Sequence, residues 1–378
     1  MTIPLPFRQH HLYTFLEAYD KDTRPLDACL HAYFRHHKAL GSKDRGFIAE
    51  TVYALIRWLS LLDYLSDEPH SWEKRVEVLQ GLDVEQTLQR EDIPLHIRLS
   101  CPKGLFDRLV GEYGLEKGSE ICRVNNTPAP TTIRVNTLKI TREALLDRWK
   151  GRYVIRPTTD SPEGITFINR ANFFEIPEFK EGLFEVQDEG SQLLAAHVKP
   201  KSGDLVIDYC SGSGGKTLAF APQLQGSGQI YLHDIRPHAL QEARIRLRRA
   251  GIQNAQVILP DSPQLARLKK KMQWVLIDAP CSGSGTLRRN PDMKWKLDDE
   301  TITRLVGQQR TIFEKGLSYM HPEGRIVYGT CSLFREENQD QMDHFIRTYG
   351  LCIEGQPFQS LPTVGGMDGF FGVVLKKA

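Results

Sequence analysis

From Leu205 onward, short apolar runs alternate with amphipathic stretches. Leu205-Val206-Ile207-Asp208, Gln229-Ile230-Tyr231-Leu232-His233-Asp234, Ala255-Gln256-Val257-Ile258-Leu259, Val275-Leu276-Ile277-Asp278 and Ile326-Val327-Tyr328-Gly329-Thr330 each read as a buried strand bounded by turn residues. Leu218-Ala219-Phe220-Ala221 and the stretches 238–250 and 302–320 read as the helices between them. Such alternation predicts a largely parallel sheet with helices on both faces. The stretch 368–375 reads as a last strand.

Residues 1–125 have a helical texture instead. Within 44–59, Phe47, Thr51, Ala54, Leu55 and Trp58 fall at three- and four-residue steps and mark one apolar stripe, with cap candidates in Gly41-Ser42-Lys43-Asp44. Asn125-Asn126-Thr127-Pro128-Ala129-Pro130 is a linker signal. After it, Thr132-Ile133-Arg134-Val135-Asn136 alternates as a strand and Thr141 caps a helix. Tyr153-Val154-Ile155 and Ile165-Thr166-Phe167-Ile168 are further short strands. The expected organisation is a helical domain over 1–125, a small α+β module over 126–200 and the larger α/β domain over 201–378.

Composition changes this picture little. A hydrophobic content of 40% and a charged content of 25% suit an ordinary soluble protein of two or three domains. No apolar stretch is long enough to span a bilayer, and Met1-Thr2-Ile3-Pro4-Leu5-Pro6-Phe7-Arg8 lacks the apolar core of a signal peptide, so a cytoplasmic protein is expected. The seven cysteines form no CxxC pair and no cluster with zinc spacing, so reduced thiols and no metal are expected. A net charge of +2 says little about partners. Arg288, Arg289, Lys294 and Lys296 form a local basic group suited to phosphate. Arg134 and Lys139 flank the first turn of the small module and would serve either phosphate contact or solubility.

Two cysteines change the picture most. Cys281 follows the strand ending at Asp278, and Cys331 follows the strand ending at Thr330. Loops at the carboxyl edge of a parallel sheet are where ligands bind. A lone cysteine is usually an inert filler; two at matching strand ends, one beside Asp278, point to chemistry in one cleft. Gly212, Gly214 and Gly215 lie between a strand and a helix, where they let backbone N–H groups approach a ligand. The glycine-to-lysine spacing of Ser211 to Lys216 does not fit a P-loop. Asp234 suits a ribose diol and Asp261 an adenine amino group. With Asp278, each closes a strand, which favours an adenosyl ligand.

On those residues the chain resembles the RsmB/NOL/NSUN family of RNA cytosine-5 methyltransferases. The carrying runs are Asp278-Ala279-Pro280-Cys281-Ser282-Gly283-Ser284-Gly285, Arg288-Arg289-Asn290-Pro291-Asp292-Met293-Lys294-Trp295, Thr330-Cys331-Ser332 with Glu336-Glu337-Asn338, Arg134-Val135-Asn136-Thr137-Leu138-Lys139, and Asp368-Gly369-Phe370-Phe371. The resemblance implies a Rossmann-like class I methyltransferase domain on a mostly parallel seven-stranded sheet, an RNA-binding α+β module and a NusB-like helical domain. It implies S-adenosylmethionine held by Cys210, Ser211, Gly212, Ser213, Gly214, Gly215, Lys216, Asp234, Asp261 and Asp278. It assigns the nucleophile to Cys331, release of methylated RNA to Cys281, and the cytosine edge to Asp278. One departure stands out: the family's first loop reads Cys-Ala-Ala-Pro-Gly-Gly-Lys, whereas here it is Cys210-Ser211-Gly212-Ser213-Gly214-Gly215-Lys216. The expected substrate is 16S ribosomal RNA, with transfer RNA the alternative, and the expected state is a monomer. A non-catalytic RNA-binding factor on a degenerate methyltransferase fold is the reading from another class. A DNA enzyme, with Cys281 as its nucleophile, would leave Cys331 unexplained.

Overall fold

A computed structural model describes residues 6–378 apart from Arg170; most of the run 1–8 read above lies outside the described residues. The chain divides into two compact units. One comprises residues 1–128 and 286–298, the other residues 129–285 and 299–378.

The first unit is helical. Its longer helices are Phe7–Tyr19, Leu26–His36, Ser42–Arg57, Trp72–Gly81 and Lys103–Asn125. The stripe that faces its core on Ser42–Arg57 is Ile48, Val52, Leu55 and Ile56, offset from the predicted one. Thr51 and Ala54 carry too little apolar area to compete with Ile48, Val52 and Ile56 for burial. The basic run after Cys281 also folds here. The Trp295 indole N–H donates to the Ile56 carbonyl at 2.8 Å, and the Leu26 N–H donates to the Asp292 carboxylate at 3.2 Å.

The second unit holds two sheets. The smaller has strands β1 (Thr131–Val135), β2 (Ile155–Pro157), β3 (Gly164–Phe167) and β4 (Phe184–Val186), in the antiparallel order β2-β3-β1-β4. Its core gathers Trp149, Phe167 and Phe184. It shares one compact unit with the larger sheet, although the composition break had suggested a separate module. The Arg134 guanidinium shows why, reaching from β1 to the Gln187 side chain at 2.7 Å and the Leu218 carbonyl at 2.7 Å.

The larger sheet runs through β5 (Leu205–Asp208), β6 (Gln229–His233), β7 (Ala255–Ile258), β8 (Met272–Asp278), β9 (Met320–Thr330), β10 (Leu351–Ile353), β11 (Phe358–Ser360) and β12 (Phe370–Lys377). Its order is β10-β12-β9-β8-β5-β6-β7, with β11 paired to β12. Strands β5 to β9 pair in parallel, and β12 runs antiparallel to β9. The Rossmann-like fold is as expected, with eight strands rather than seven. The extra one, β11, is three residues long and too short to show a period.

The parallel order determines the site. Strands β5, β6 and β8 end at Asp208, His233 and Asp278, and β9 ends at Thr330, all at the same edge. Every chain segment that follows these ends is a candidate ligand loop.

Candidate active site

The two predicted thiols meet. The Cys281 and Cys331 sulfurs lie 3.4 Å apart, and the Cys331 backbone N–H donates to the Cys281 sulfur at 3.3 Å. Neighbouring strands produce this contact: β8 and β9 pair in register up to Asp278 opposite Gly329, so the loops beyond them start side by side. Both thiols are partly exposed, and all seven cysteines are free.

A buried polar network holds these loops. The Gly285 N–H donates to the Cys331 carbonyl at 2.9 Å, and the Leu333 N–H donates to the Ser284 hydroxyl at 2.8 Å. The Thr330 hydroxyl meets the Asn338 side-chain oxygen at 2.5 Å, while the Asn338 amide donates to the Ser332 carbonyl at 2.9 Å. Few rearrangements of either loop leave all these groups paired, so the thiol geometry is preorganised.

Next to the thiols, the Lys216 ammonium pairs with the Asp278 carboxylate at 2.5 Å. Burial disfavours the Lys216 charge, but Asp278 and then the Cys331 sulfur favour it, and the balance raises the lysine above its ordinary value. Asp278 also lines the neighbouring cavity.

A cavity of about 580 Å³ opens beside this pair. Cys210, Ser211, Gly212, Ser213, Gly215, Lys216, Asp234 and Asp278 all line it. The loop from β5 is well anchored despite its unusual sequence. The Ser211 N–H donates to the His233 carbonyl at 2.9 Å, the Gly212 N–H to Asp234 at 2.8 Å, and the Gly214 N–H to the Ser211 carbonyl at 2.8 Å. Ser213 stands where the family has proline, and Arg246 grips its hydroxyl at 2.6 Å and its carbonyl at 3.1 Å. Arg246 is held in turn by Glu185 at 3.0 Å.

Gly214 does not line the cavity. It adopts a φ of +79°, and a Cβ there would press on Leu232 at 3.2 Å. Its contribution is the turn and close packing. Asp261 is not among the residues that line this cavity. It is exposed and lines a separate surface hollow with Arg244 and Ser262, because β7 stops at Ile258 and the chain runs on past the sheet edge. Asp234 lines the cavity, with Arg236 paired to it at 2.9 Å. Burial opposes its charge, but Arg236 and two backbone N–H groups prevail and hold the carboxyl below its usual value.

Asp208 was missed in the sequence, although it closes a strand as the other carboxylates do. It lines the cavity, is 1% exposed, and accepts from the Thr217 hydroxyl at 2.7 Å. Burial pushes its carboxyl up to about 7. Among the described residues, Asp208 Oδ1 and Ser211 Oγ have no hydrogen-bond partner. Two orphaned acceptors in a cavity of ligand size fit a nucleoside-type molecule that carries donors and positive charge.

The raised carboxyl gives a test. Between about pH 4 and 7 the folded protein holds a proton that the unfolded chain has released, so stability falls as pH rises through that window. Asp208→Asn should remove this dependence and raise the thermal midpoint of the free protein above pH 7, as read by scanning calorimetry. It should also weaken binding of a cationic ligand by roughly 10-fold to 100-fold, the loss of one charged hydrogen bond.

The basic residues need correction. Arg134 is buried within the fold, and burial pulls its guanidinium down to about 10. Arg288 is 1% exposed and Lys294 3%. The Lys294 ammonium donates to the Arg57 carbonyl at 2.7 Å, the Ser100 carbonyl at 2.5 Å and Asn126 Oδ1 at 2.9 Å. Burial pulls this amine down to about 7, yet three oxygens claim all three protons of its charged form. These three side chains are interior groups in this fold, not phosphate contacts. Local sequence shows that a residue is charged but not which way it faces. Lys294→Met should remove three hydrogen bonds, two of them fully buried, and destabilise the helical unit by on the order of 3 kcal/mol, measured by urea unfolding. Lys139 and Lys296 are exposed and Arg289 is half-buried. The Lys139 ammonium donates to the Glu181 carbonyl at 2.6 Å and the Arg249 carbonyl at 2.7 Å, and Lys296 pairs with Asp292 at 3.0 Å.

Residues 195–373 match the family model for the 16S rRNA methyltransferase RsmB/F, and residues 101–173 match that for the RsmF/B-like ferredoxin-like domain. The ribosomal RNA small subunit methyltransferase B of Vibrio cholerae is 34% identical over 309 residues, covering 79% of this chain and 69% of that one. A probable ribosomal RNA small subunit methyltransferase B of Bacillus subtilis is 29% identical over 324 residues, covering 78% and 72%. The crystal structure of a methyltransferase homolog protein from Pyrococcus horikoshii matches with a TM-score of 0.65 and 29% identity, over 75% of this chain and 98% of that one.

Proposed function

The chain belongs to the RsmB/F family of 16S rRNA methyltransferases, and on that premise we propose that it methylates carbon 5 of a cytosine in 16S ribosomal RNA through a covalent cysteine adduct. The observation that carries this reading is the 3.4 Å approach of the Cys281 and Cys331 sulfurs beside the Lys216–Asp278 pair. The cofactor is S-adenosylmethionine, which supplies the electrophilic methyl group. Asp208, Ser211 and the loop Cys210 to Lys216 would hold it, with Asp234 at the ribose.

Carbon 5 of cytosine is a poor nucleophile. Addition of the Cys331 sulfur at carbon 6 forms a C–S bond and moves electron density onto carbon 5, splitting one hard step into easier ones. Lys216, which favours negative charge on the neighbouring sulfur, supports that attack. Asp278 accepts from the exocyclic amino group and orients the ring. After methyl transfer the carbon 5 proton must leave and the C–S bond must break, restoring the cytosine ring and the Cys331 thiolate. Cys281, within contact distance of Cys331, is placed to assist that release. The target base must be unstacked to enter the cleft.

A non-catalytic scaffold would need neither the paired thiols nor the two orphaned acceptors. The altered glycine loop, which motivates that alternative, has its own anchors in Arg246 and Asp234. Among the described residues, no helix is long and apolar enough to cross a membrane. The reading places the protein in the cytoplasm as a monomer acting on RNA.

Bisulfite sequencing of total RNA from a strain lacking the gene tests it. One 16S cytosine should lose its protection, and the purified chain with S-adenosylmethionine should restore it. Loss of protection in transfer RNA alone would move the substrate there. Unchanged RNA, with no heat of S-adenosylmethionine binding by calorimetry, would favour the scaffold.

A further inference from the structure

One buried carboxylate ties both thiol loops. Glu337 is 0% exposed. Its Oε1 accepts from the Ser282 backbone N–H at 2.9 Å and from the Gln309 amide at 2.9 Å, and its Oε2 accepts from the Ser332 hydroxyl at 2.5 Å. Ser282 directly follows Cys281, and Ser332 directly follows Cys331. The same Gln309 amide donates to the Pro280 carbonyl at 3.1 Å, just before Cys281. Gln309 is fixed in turn by the Tyr328 hydroxyl at 3.2 Å and the Gln341 amide at 2.9 Å.

We propose that Glu337 is the positioning residue of the thiol pair: it ties the two loops together, and its charge keeps the proton on Cys281 while Lys216 draws negative charge onto Cys331. This rests on the two-cysteine reading above and adds what makes the cysteines unequal. Two sulfurs in contact do not both ionise readily, so they share a proton, and the surrounding charges decide which sulfur keeps it. The Cys281 sulfur touches the Cys331 sulfur at 3.4 Å, the Glu337 carboxylate holds the N–H of the next residue, Ser282, at 2.9 Å, and the Tyr328 hydroxyl donates to the Glu337 carbonyl at 2.7 Å; Glu337 and Tyr328 both interact electrostatically with Cys281. Its hydrogen bond to Cys331, then burial, then the nearby negative charges, Glu337 among them, hold the Cys281 thiol well above its ordinary value. On the other side, the Lys216 ammonium interacts electrostatically with Cys331. The Cys331 backbone N–H at 3.3 Å from the Cys281 sulfur and a backbone hydrogen bond from Gly283 pull the other way, and on the proposal the two flanking charges outweigh them, so that the pair enters the reaction with the thiolate on Cys331.

Glu337→Gln separates charge from tie. The glutamine oxygen can still accept from Ser282 and Gln309, and the Ser332 hydroxyl can turn to accept from the new amide, so the loops stay joined while the charge goes. The measurement is site-resolved alkylation by iodoacetamide across pH on the full-length chain, without RNA or cofactor, with the thermal midpoint as a control on folding. One unit of lower pKa increases the thiolate tenfold but lowers its nucleophilicity, a net gain of about threefold. Glu337→Gln should speed labelling of Cys281 about threefold or more at pH 7.5 and leave Cys331 no faster. In the wild-type chain, Cys331 should become reactive at lower pH than Cys281. A smaller change at Cys281, equal acceleration of both thiols, or the reverse wild-type order overturns the proposal. Equal acceleration would mean that the loops had merely loosened. The wild-type order needs no variant, so a misfolded Glu337→Gln still leaves a decisive result. Labelling does not depend on methyl transfer, so failure of the methyltransferase reading would show separately, as a wild-type chain that methylates nothing.

Discussion

Cys331→Ala is expected to abolish methyl transfer and covalent capture of RNA together. The sulfur is the only atom removed. The hydrogen bonds of residue 331 that hold the loop, from its N–H to the Cys281 sulfur and from Gly285 to its carbonyl, come from the backbone and survive. The fold should therefore persist, and circular dichroism should report an unchanged thermal transition to within a few degrees. Without the sulfur, carbon 6 has no nucleophile and carbon 5 stays electron-poor. Removing the nucleophile of a covalent enzyme costs on the order of 10^4- to 10^6-fold in turnover. The check is tritiated methyl incorporation into 16S RNA, beside a denaturing gel for protein–RNA adduct. Cofactor binding should be nearly unchanged, since Cys331 is not among the residues lining the cavity.

Cys281→Ala should behave in the opposite way on the gel. Cys331 still attacks and the methyl group still transfers, but the group placed to assist release is gone. Adduct should accumulate to near one per protein molecule, with multiple turnover falling by roughly 10^2- to 10^4-fold, the range for loss of a positioned acid or base. A burst of methylation followed by arrest would be the kinetic sign. If the adduct instead appears with Cys331→Ala and not with Cys281→Ala, the two roles are exchanged. The 3.4 Å sulfur contact makes these variants non-additive, so the double variant should resemble Cys331→Ala alone.

These outcomes turn on parts of the site that were unequally visible in the chain. The strand-final positions of Asp234 and Asp278 and the loops after β8 and β9 were legible, because a parallel sheet delivers such loops to one edge whatever the packing details. Asp208 carried the same signal and went unread. Asp261 carried it too but lies outside the cavity, since a carboxylate past a strand end can equally form a turn on the surface. Glu337 lay in plain view within Glu336-Glu337-Asn338, yet nothing local distinguishes a wholly buried glutamate from its neighbour.

The chain by itself determined the alternation of strand and helix, the helical texture of the first 125 residues, the glycine loop and the two cysteines, because periodicity and turn chemistry act over a few residues. Only the tertiary structure decided which charges are interior. Arg134, Arg288 and Lys294 read as surface cations and proved buried, while Arg246 became an anchor of the glycine loop and Glu337 of both thiol loops. The physical reason is that burial and pairing depend on partners far away in sequence. Lys294 finds the oxygens of Arg57, Ser100 and Asn126, and Glu337 finds Ser282 and Gln309, only after the elements that carry them have packed.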